Sequence, residues 1–97
     1  MKIYDVYIVK YSDNSYYTGF TNDLERRINE HNGGVNPASY THTRRPVKLV
    51  FYYEFNDENQ AIQFEKQIKG WSRKKKEAII NDNWDLLPKL SKNRMKE

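Results

Sequence analysis

Tyr7, Tyr17 and Arg27 stand ten residues apart in the first third of this 97-residue chain. The two tyrosines lie in separate aromatic-rich runs connected by a polar turn, residues 12–15, and Arg27 follows within a helical pattern. A phenol can orient water or exchange a proton with it, and a guanidinium group can grip a phosphate through two parallel hydrogen bonds. Tyrosines on a hairpin beside an arginine on a helix therefore indicate a small phosphate-handling site.

The helical pattern after the second aromatic run determines which side chains turn toward the hairpin. At about 100° per residue, Leu24, Ile28 and His31 share one face. Arg27 lies at the edge of that face, and Arg26 points away from it. The pattern alone leaves simpler explanations open. His31 would then be a helix-end residue near the dipole, and the stem of Arg27 would cover the core while its head reaches water.

A second helical pattern carries an acidic residue on its apolar stripe. Ala61, Phe64 and Ile68 define the stripe, and Glu65 falls within it. A buried carboxylate must be paired, hydrogen-bonded or metal-bound, because burying it bare is very costly. One reading is a structural ion pair, with Arg27 as the partner. The other, equally favoured by the pattern, is a ligand for a hard divalent cation such as Mg²⁺, which one or two carboxylates and several waters often hold.

Charge is distributed unevenly along the chain. The formal net charge is +4, and from Lys66 onward ten Lys or Arg stand against four Asp or Glu. A basic surface attracts polyanions because binding releases their counterions. We therefore expect a nucleic-acid partner, while a solvated helix face with a soluble tail is the simpler explanation.

Composition excludes several other classes of site. The chain has no cysteine, which excludes disulfides, thiolate metal sites and a cysteine nucleophile, and which fits a reducing compartment. No apolar run approaches the roughly 20 residues that span a bilayer. We therefore expect a cytoplasmic protein with no membrane role.

The pattern of breakers and periodic runs predicts one domain with elements in the order β-β-α-β-α-α. We expect a three-stranded antiparallel sheet flanked by helices, an α/β fold, over residues 1–82. Residues 83–97 form a C-terminal extension that docks partly through Trp84 and is flexible at its end. The expected elements are a hairpin over 4–11 and 16–20, a helix from Asp23 to Gly33 capped by Thr21 or Asn22, a strand over 47–55, a helix from about 58 to 71, and a basic helix capped by Ser72 that ends near Ile80.

The hairpin provides a geometric test of the shared site. Because side chains alternate between faces, Tyr7 and Tyr17 share a face only if an odd number of residues separates the paired positions. The turn allows three or five residues, and Asn14 tolerates a left-handed conformation. We therefore predict a loop of three or five residues, or a bulge.

Together these residues resemble the GIY-YIG nuclease domain, and more narrowly its small stand-alone bacterial members, which are similar to the N-terminal domain of the excision-repair subunit UvrC. The resemblance covers about residues 2–81, with one departure: Asp5 stands where the family has its naming glycine. It rests on Val6-Tyr7-Ile8, Tyr17-Thr18-Gly19, Arg27, His31 and Glu65, and on five further segments in order, residues 21–27, 30–32, 40–41, 44–46 and 68–72.

The resemblance implies an endonuclease that hydrolyses DNA around one divalent cation, Mg²⁺ or Mn²⁺, in DNA repair or recombination. It implies that Glu65 is the metal ligand and that Arg27 holds a non-bridging phosphate oxygen. Tyr7 or Tyr17 orients or deprotonates the attacking water, and His31 tunes a tyrosine or shuttles its proton. RNA stays open as a substrate, as does a protein partner for targeting. The predicted nucleic-acid contacts are Arg44, Arg45, Lys69, Arg73, Lys74 and Lys75.

Two rival functions share the same sequence features. One is a catalytically silent nucleic-acid-binding module of the same fold, and the other is an adaptor whose basic tail binds a protein or ribosomal RNA. The presence of all five site residues favours the enzyme. Asp5 and Glu54 are weaker candidates for further metal ligands, since acids at strand edges are more often solvated.

Overall fold

The computed structural model describes residues 2–33 and 46–88, which form the elements in the predicted order. The three strands make one antiparallel sheet in the order β2-β1-β3, which confirms the predicted fold class. Residues 34–45 and the end of the C-terminal extension, which was predicted to be flexible, lie outside the described residues. The elements are β1 (Tyr4–Lys10), β2 (Tyr16–Thr21), α1 (Leu24–Gly33), β3 (Lys48–Phe55), α2 (Glu58–Lys69), α3 (Arg73–Ile80) and a short 3₁₀ helix (Trp84–Leu86).

The hairpin between β1 and β2 has a five-residue loop. Lys10 pairs with Tyr16, and Asn14 takes the left-handed conformation, with φ of 69°, that a tight turn requires. The odd loop length places Tyr7 opposite Gly19 and Tyr17 opposite Val9. Both tyrosines therefore lie on the same face of the sheet, as predicted from the turn.

The central strand β1 is buried on both faces because helices cover each side of the sheet. On one face, Val6 and Ile8 form a core with residues of α2 and α3, and on the other, Tyr7 and Val9 pack against α1. Each aliphatic side chain buried in this way stabilises the fold by roughly 1.5–3 kcal/mol. The first core contains Val6, Ile8, Ala61, Ile68 and Ile79, and the second contains Tyr7, Val9, Tyr11 and Val47.

Helix ends differ from the sequence predictions in detail. Helix α1 begins one residue later than expected, because the Asp23 carboxylate accepts the Arg26 backbone N–H at 3.2 Å and so caps the helix. Thr21, a predicted cap, instead accepts the N–H of Asp23 at 3.1 Å. The predicted Ser72 cap of α3 is present, its hydroxyl accepting the Lys75 N–H at 3.3 Å. Helix α2 ends at Lys69 because the chain turns at Gly70.

The segment after α3 packs against β3 through one aromatic ring. The ring of Trp84 lies 6.0 Å from Phe51 and 6.4 Å from Tyr53, measured between ring centroids. Leu87 packs against the first core, whereas Leu86 is exposed. None of the helices in the described part of the chain has the length and apolar character needed to cross a membrane.

Candidate active site

Tyr7 lies at the centre of the candidate site. Its side chain is fully buried in the middle of β1, and its hydroxyl lies 3.3 Å from Nε2 of His31. The Nε–H of Arg27 donates to the same hydroxyl oxygen at 3.4 Å. The phenol therefore lies between a base and a cation, both contributed by α1.

The electrostatic surroundings set the protonation of this group. Burial lowers the pKa of His31 from its ordinary 6.5, and the charge of Arg27 lowers it further, so the imidazole is neutral at pH 7. Burial also raises the pKa of Tyr7, which the hydrogen bond from Arg27 opposes, while Tyr17 and Glu65 add to the rise. At rest, the site thus holds a protonated phenol next to a neutral imidazole.

Gly19 makes room for the Tyr7 ring. A Cβ atom at position 19 would lie 2.5 Å from the Tyr7 hydroxyl oxygen and 3.0 Å from the Tyr17 ring. No side chain fits there without displacing the phenol. The sequence signal was a glycine inside a strand, which often marks a close approach of another group, but it was not assigned a role.

Tyr17 forms the second aromatic wall of the site. Its ring centroid lies 6.4 Å from that of Tyr7 and 5.6 Å from the His31 imidazole, at an edge-on angle of 60°. Its side chain is half-buried, so Tyr17 lies closer to solvent than Tyr7 does. Edge-to-face packing of this kind fixes ring orientation, so Tyr17 holds His31 against Tyr7.

The Arg27 side chain is held by two polar contacts and is partly exposed to solvent. Its Nε bonds Tyr7, its Nη1 lies 3.3 Å from the Glu30 carboxylate, and 44% of its side chain is exposed. Arg26 points away, 74% exposed, and pairs with the same carboxylate at 3.3 Å. As predicted, Arg27 turns toward the hairpin and reaches Tyr7, whereas Arg26 is mostly exposed; both side chains still meet at Glu30.

Asn32 fixes the end of α1 against the sheet. Its amide accepts the Val47 N–H at 2.7 Å and donates to the Val47 carbonyl at 3.0 Å. The two bonds link the end of α1 to the residue that precedes β3. The link holds the neighbouring His31 in place.

Glu65 approaches the site from α2. Its side chain is 15% exposed, and its charge reaches Tyr7 strongly enough to raise the phenol pKa. Lys69 Nζ lies 3.1 Å from its Oε2 atom, so the ion pair is made one turn along the same helix. An ion pair was one of the two interpretations left open by the pattern, but its partner is Lys69 and not Arg27, whose guanidinium group contacts Tyr7 and Glu30.

The site residues fit a divalent cation held by one carboxylate. Across residues 2–33 and 46–88, no three His, Cys, Asp or Glu side chains gather into a metal-binding group. A protein needs only one or two carboxylates for Mg²⁺, since waters and substrate phosphates complete the shell. Glu65 is largely buried, its charge acts on the pKa of Tyr7, and its carboxylate has the donor chemistry for this arrangement.

The predicted nucleic-acid contacts lie in different surroundings. Lys74 is exposed, and Lys69 is half exposed beside Glu65. Arg73 lies over the ring of Tyr16, 4.5 Å from its centroid, and pairs with Glu77 at 3.2 Å. Arg44 and Arg45 lie outside the described residues.

Lys75 does not fit its predicted role. It is only 9% exposed, and its ammonium group lies 5.9 Å from the centroid of the Trp71 ring. Helical spacing places it on the inner side of α3, with the buried Ile79 four residues on. We therefore correct that prediction: Lys75 packs inside the fold instead of facing a phosphate backbone.

Two acids form an unusual pair near the site. Asp5 lies directly opposite Glu54 across β1 and β3, on the same face as Tyr7. Asp5 is buried, and its Oδ1 atom has no hydrogen-bond partner in the structure. Burial, followed by the charge of Glu54, raises the pKa of Asp5 above 3.8.

Comparison with known proteins connects this geometry to a family. Residues 3–78 match the family model described as the GIY-YIG catalytic domain. The UPF0213 protein YazA of Bacillus subtilis is 47% identical over 76 residues, which cover 78% of this chain and 76% of YazA. The UPF0213 protein HQ_3675A of Haloquadratum walsbyi is 44% identical over 81 residues, which cover 84% of this chain and 90% of that protein.

Two solution NMR structures share the fold. The UPF0213 protein BH0048 from Bacillus halodurans is 39% identical with a TM-score of 0.54, covering 81% of this chain and 83% of that one. The protein EF2693 from E. faecalis is 35% identical with a TM-score of 0.60, covering 84% and 85%. Sequence and fold agree over the segment that carries the candidate site, and this chain belongs to the GIY-YIG catalytic domain family.

Proposed function

We propose that this protein is an endonuclease that hydrolyses phosphodiester bonds in DNA with a divalent cation, Mg²⁺ or Mn²⁺. The observation that carries the proposal is the Tyr7 hydroxyl, which contacts both His31 and Arg27. A phenol in this position can give its proton to the imidazole while the guanidinium group stabilises the phenolate. Family membership adds support, because the matching model describes a catalytic domain.

Tyr7 is the proposed general base, with His31 as the proton acceptor behind it. The phenol proton passes to Nε2 of His31, and the phenolate oxygen takes a proton from the attacking water. His31 can accept the proton because it is neutral at pH 7. Tyr17 contacts His31 through edge-on ring packing, so its proposed role is to hold the imidazole and border the water.

Arg27 is the proposed phosphate clamp. Its exposed end can donate to a non-bridging oxygen while Nε stays on Tyr7. The pentavalent transition state carries more negative charge on these oxygens than the ground state does, so a fixed guanidinium group favours it. Glu30, which pairs with both Arg26 and Arg27, keeps the two side chains oriented before substrate arrives.

Glu65 is the proposed cation ligand, with waters as the remaining ligands. Bound there, a divalent cation supplies charge stabilisation for the leaving oxygen. Neutralising the Glu65 carboxylate also removes one of the charges that raise the Tyr7 pKa. The two roles of Glu65 therefore act in the same direction.

The test is cleavage of labelled duplex, nicked, forked and single-stranded DNA with Mg²⁺ or Mn²⁺. Wild type is compared with Glu65→Gln and Arg27→Ala, and with Glu25→Gln as a control for loss of an exposed carboxylate on α1. We expect metal-dependent cutting that both site variants lose and the control keeps. Circular dichroism checks that each variant is folded. Cutting by folded Glu65→Gln at the wild-type rate would refute the assignment of Glu65.

A silent nucleic-acid-binding module is the second candidate function. The observation in its favour is the ion pair between Lys69 and Glu65, which already satisfies the carboxylate without a cation. This alternative predicts salt-sensitive DNA binding that neither Glu65→Gln nor Arg27→Ala changes, with no cutting under any metal. The cleavage panel and a salt titration of binding separate the two functions.

A further inference from the structure

A cleft of about 330 Å³ opens beside Arg27, between α1, the end of β2 and the start of α2. Arg27 is shared by the candidate active site and the cleft, since its Nε–H donates to Tyr7 and its side chain borders the cleft. Among the other lining groups, the proposed hydrolysis uses only Arg26 and Glu30, which orient the Arg27 side chain. Its lining includes the aromatic rings of Tyr4 and Phe20, the amide of Asn22 and the charged groups of Arg26, Arg27 and Glu58.

One wall of the cleft is aromatic. The rings of Tyr4 and Phe20 are stacked, with centroids 5.9 Å apart and planes 12° from parallel. Both side chains are only partly buried and both line the cleft. A pair of parallel rings offers a flat apolar surface on which a third planar group can continue the stack.

The rim of the cleft is polar and carries both signs of charge. Arg26 and Arg27 stand on one side, and the Glu58 carboxylate stands on α2. Guanidinium groups suit the phosphates on either side of a nucleotide, while amide and carboxylate groups suit the edge of a base. The cleft therefore combines a stacking surface with hydrogen-bond donors and acceptors.

We propose that this cleft binds an unpaired nucleobase adjacent to the phosphate held by Arg27. The base stacks on the Tyr4–Phe20 pair, and Asn22 or Glu58 contacts its edge. The proposal rests on the nuclease function given above and names its substrate class. A base inside a duplex is stacked on its neighbours and cannot reach such a surface, so the substrate is DNA with an unpaired nucleotide at the cut.

A duplex with a single bulged nucleotide tests the proposal, since the bulge fixes the register. Two DNAs differ only at the bulge, which is an adenine in one and an abasic residue in the other. Binding is measured by fluorescence anisotropy with the Glu65→Gln protein, so that cleavage does not interfere. We expect the bulged adenine to bind about tenfold more tightly, in the range seen when a base–aromatic stack is lost.

Phe20→Leu, made in the Glu65→Gln protein, should remove this preference. Leucine keeps most of the apolar volume but offers no ring. Tyr52→Leu is the matched control, because Tyr52 is an exposed aromatic on β3 and lies outside the cleft. Should Phe20→Leu fail to fold, Tyr4→Leu tests the same stack. Equal affinity for the two DNAs, or a preference that survives loss of either ring, would overturn the proposal.

Cleavage by the wild-type protein with Mg²⁺ separates this inference from the proposed function. Cutting without preference for the bulged base leaves the nuclease standing and removes the base site. A preference without cutting keeps the base site and removes the nuclease. If the protein neither cuts DNA nor prefers the bulged adenine, both the nuclease function and the base site are refuted.

Discussion

Strand β1 builds a different region on each face of the sheet. Val6 and Ile8 face α2 and α3 and belong to an apolar core, while Tyr7, between them, faces α1 and meets His31 and Arg27. All three side chains are fully buried. Burial therefore has a different effect on each face. It removes apolar surface from water on one face and shifts the pKa values of polar groups on the other.

The two regions should respond to mutation in opposite ways. An aliphatic side chain of the core stabilises the fold by roughly 1.5–3 kcal/mol through burial. A hydrogen bond on the site face adds only about 0.5–1.5 kcal/mol net, because water makes the same bond in the unfolded chain. Core changes should therefore reduce stability, and site changes should reduce activity.

Tyr7→Phe gives the largest expected effect. The variant keeps the buried ring and removes only the hydroxyl that contacts His31 and Arg27. Cleavage should fall by about 10²–10⁴-fold, the usual contribution of a general base, while thermal unfolding changes little. Single-turnover cleavage measures the loss. Tyr52→Phe is the control, since Tyr52 is the cross-strand neighbour of Tyr7 on β3 and is exposed.

Ile68→Ala tests the opposite region. Ile68 is fully buried against Val6 and Ile8, so the change leaves a cavity and should lower the free energy of unfolding by about 2–5 kcal/mol. At low temperature, the folded fraction should still cut DNA at a rate near wild type. Urea unfolding measures the free energy of unfolding, and cleavage assays at low temperature measure the activity. The control is Leu86→Ala, at an exposed position, which should change neither the free energy of unfolding nor the cleavage rate. A large loss of activity per folded molecule would show that the two regions are coupled.

Gly19→Ala should affect both regions at once. The added Cβ meets the Tyr7 hydroxyl, so the ring must move away from His31, and overpacking of this kind typically costs about 1–3 kcal/mol. We expect a lower melting temperature together with a lower cleavage rate. Gly70→Ala is the matched control, because its nearest contact is at 3.7 Å and its φ of −85° suits alanine. Equal behaviour of the two variants would refute the role of Gly19.

The parts of the structure that depend on fixed periodicity were predictable from the sequence. Side-chain alternation in strands predicted that Tyr7 and Tyr17 share a face, and the helical period predicted that Arg27, and not Arg26, turns toward the hairpin. Both rules depend on backbone geometry alone. They hold whatever the neighbouring side chains are.

The choice among neighbouring partners was not predictable in the same way. For an ion pair of Glu65 the pattern named Arg27 as the partner, yet the partner is Lys69, four residues on, at a spacing common on helix surfaces. Lys75 was predicted to contact nucleic acid because it belongs to a basic run, although its spacing from Ile79 places it on the buried side of α3. In both cases, several candidates satisfied the pattern, and only packing in three dimensions selected one. The role of Gly19 likewise depends on where the Tyr7 ring lies.

The smallest expected effect concerns Asp5, a buried carboxyl group on the site face whose Oδ1 atom has no hydrogen-bond partner. Its pKa is raised in the folded protein, so folding favours the protonated form. Stability should therefore fall as pH rises above the ordinary value of 3.8, because the unfolded chain releases this proton first. Asp5→Asn should be more stable than wild type at pH 7, by on the order of 1 kcal/mol as for opposed like charges in a sheet.

The measurement is the gap in melting temperature between Asp5→Asn and wild type as the pH is varied. This gap should close below pH 3.8, where Asp5 is protonated in both the folded and the unfolded chain. Glu54→Gln should narrow the gap as well, since Glu54 is the second cause of the shift. A gap that does not change with pH would show that the gain from Asp5→Asn comes from packing and not from charge.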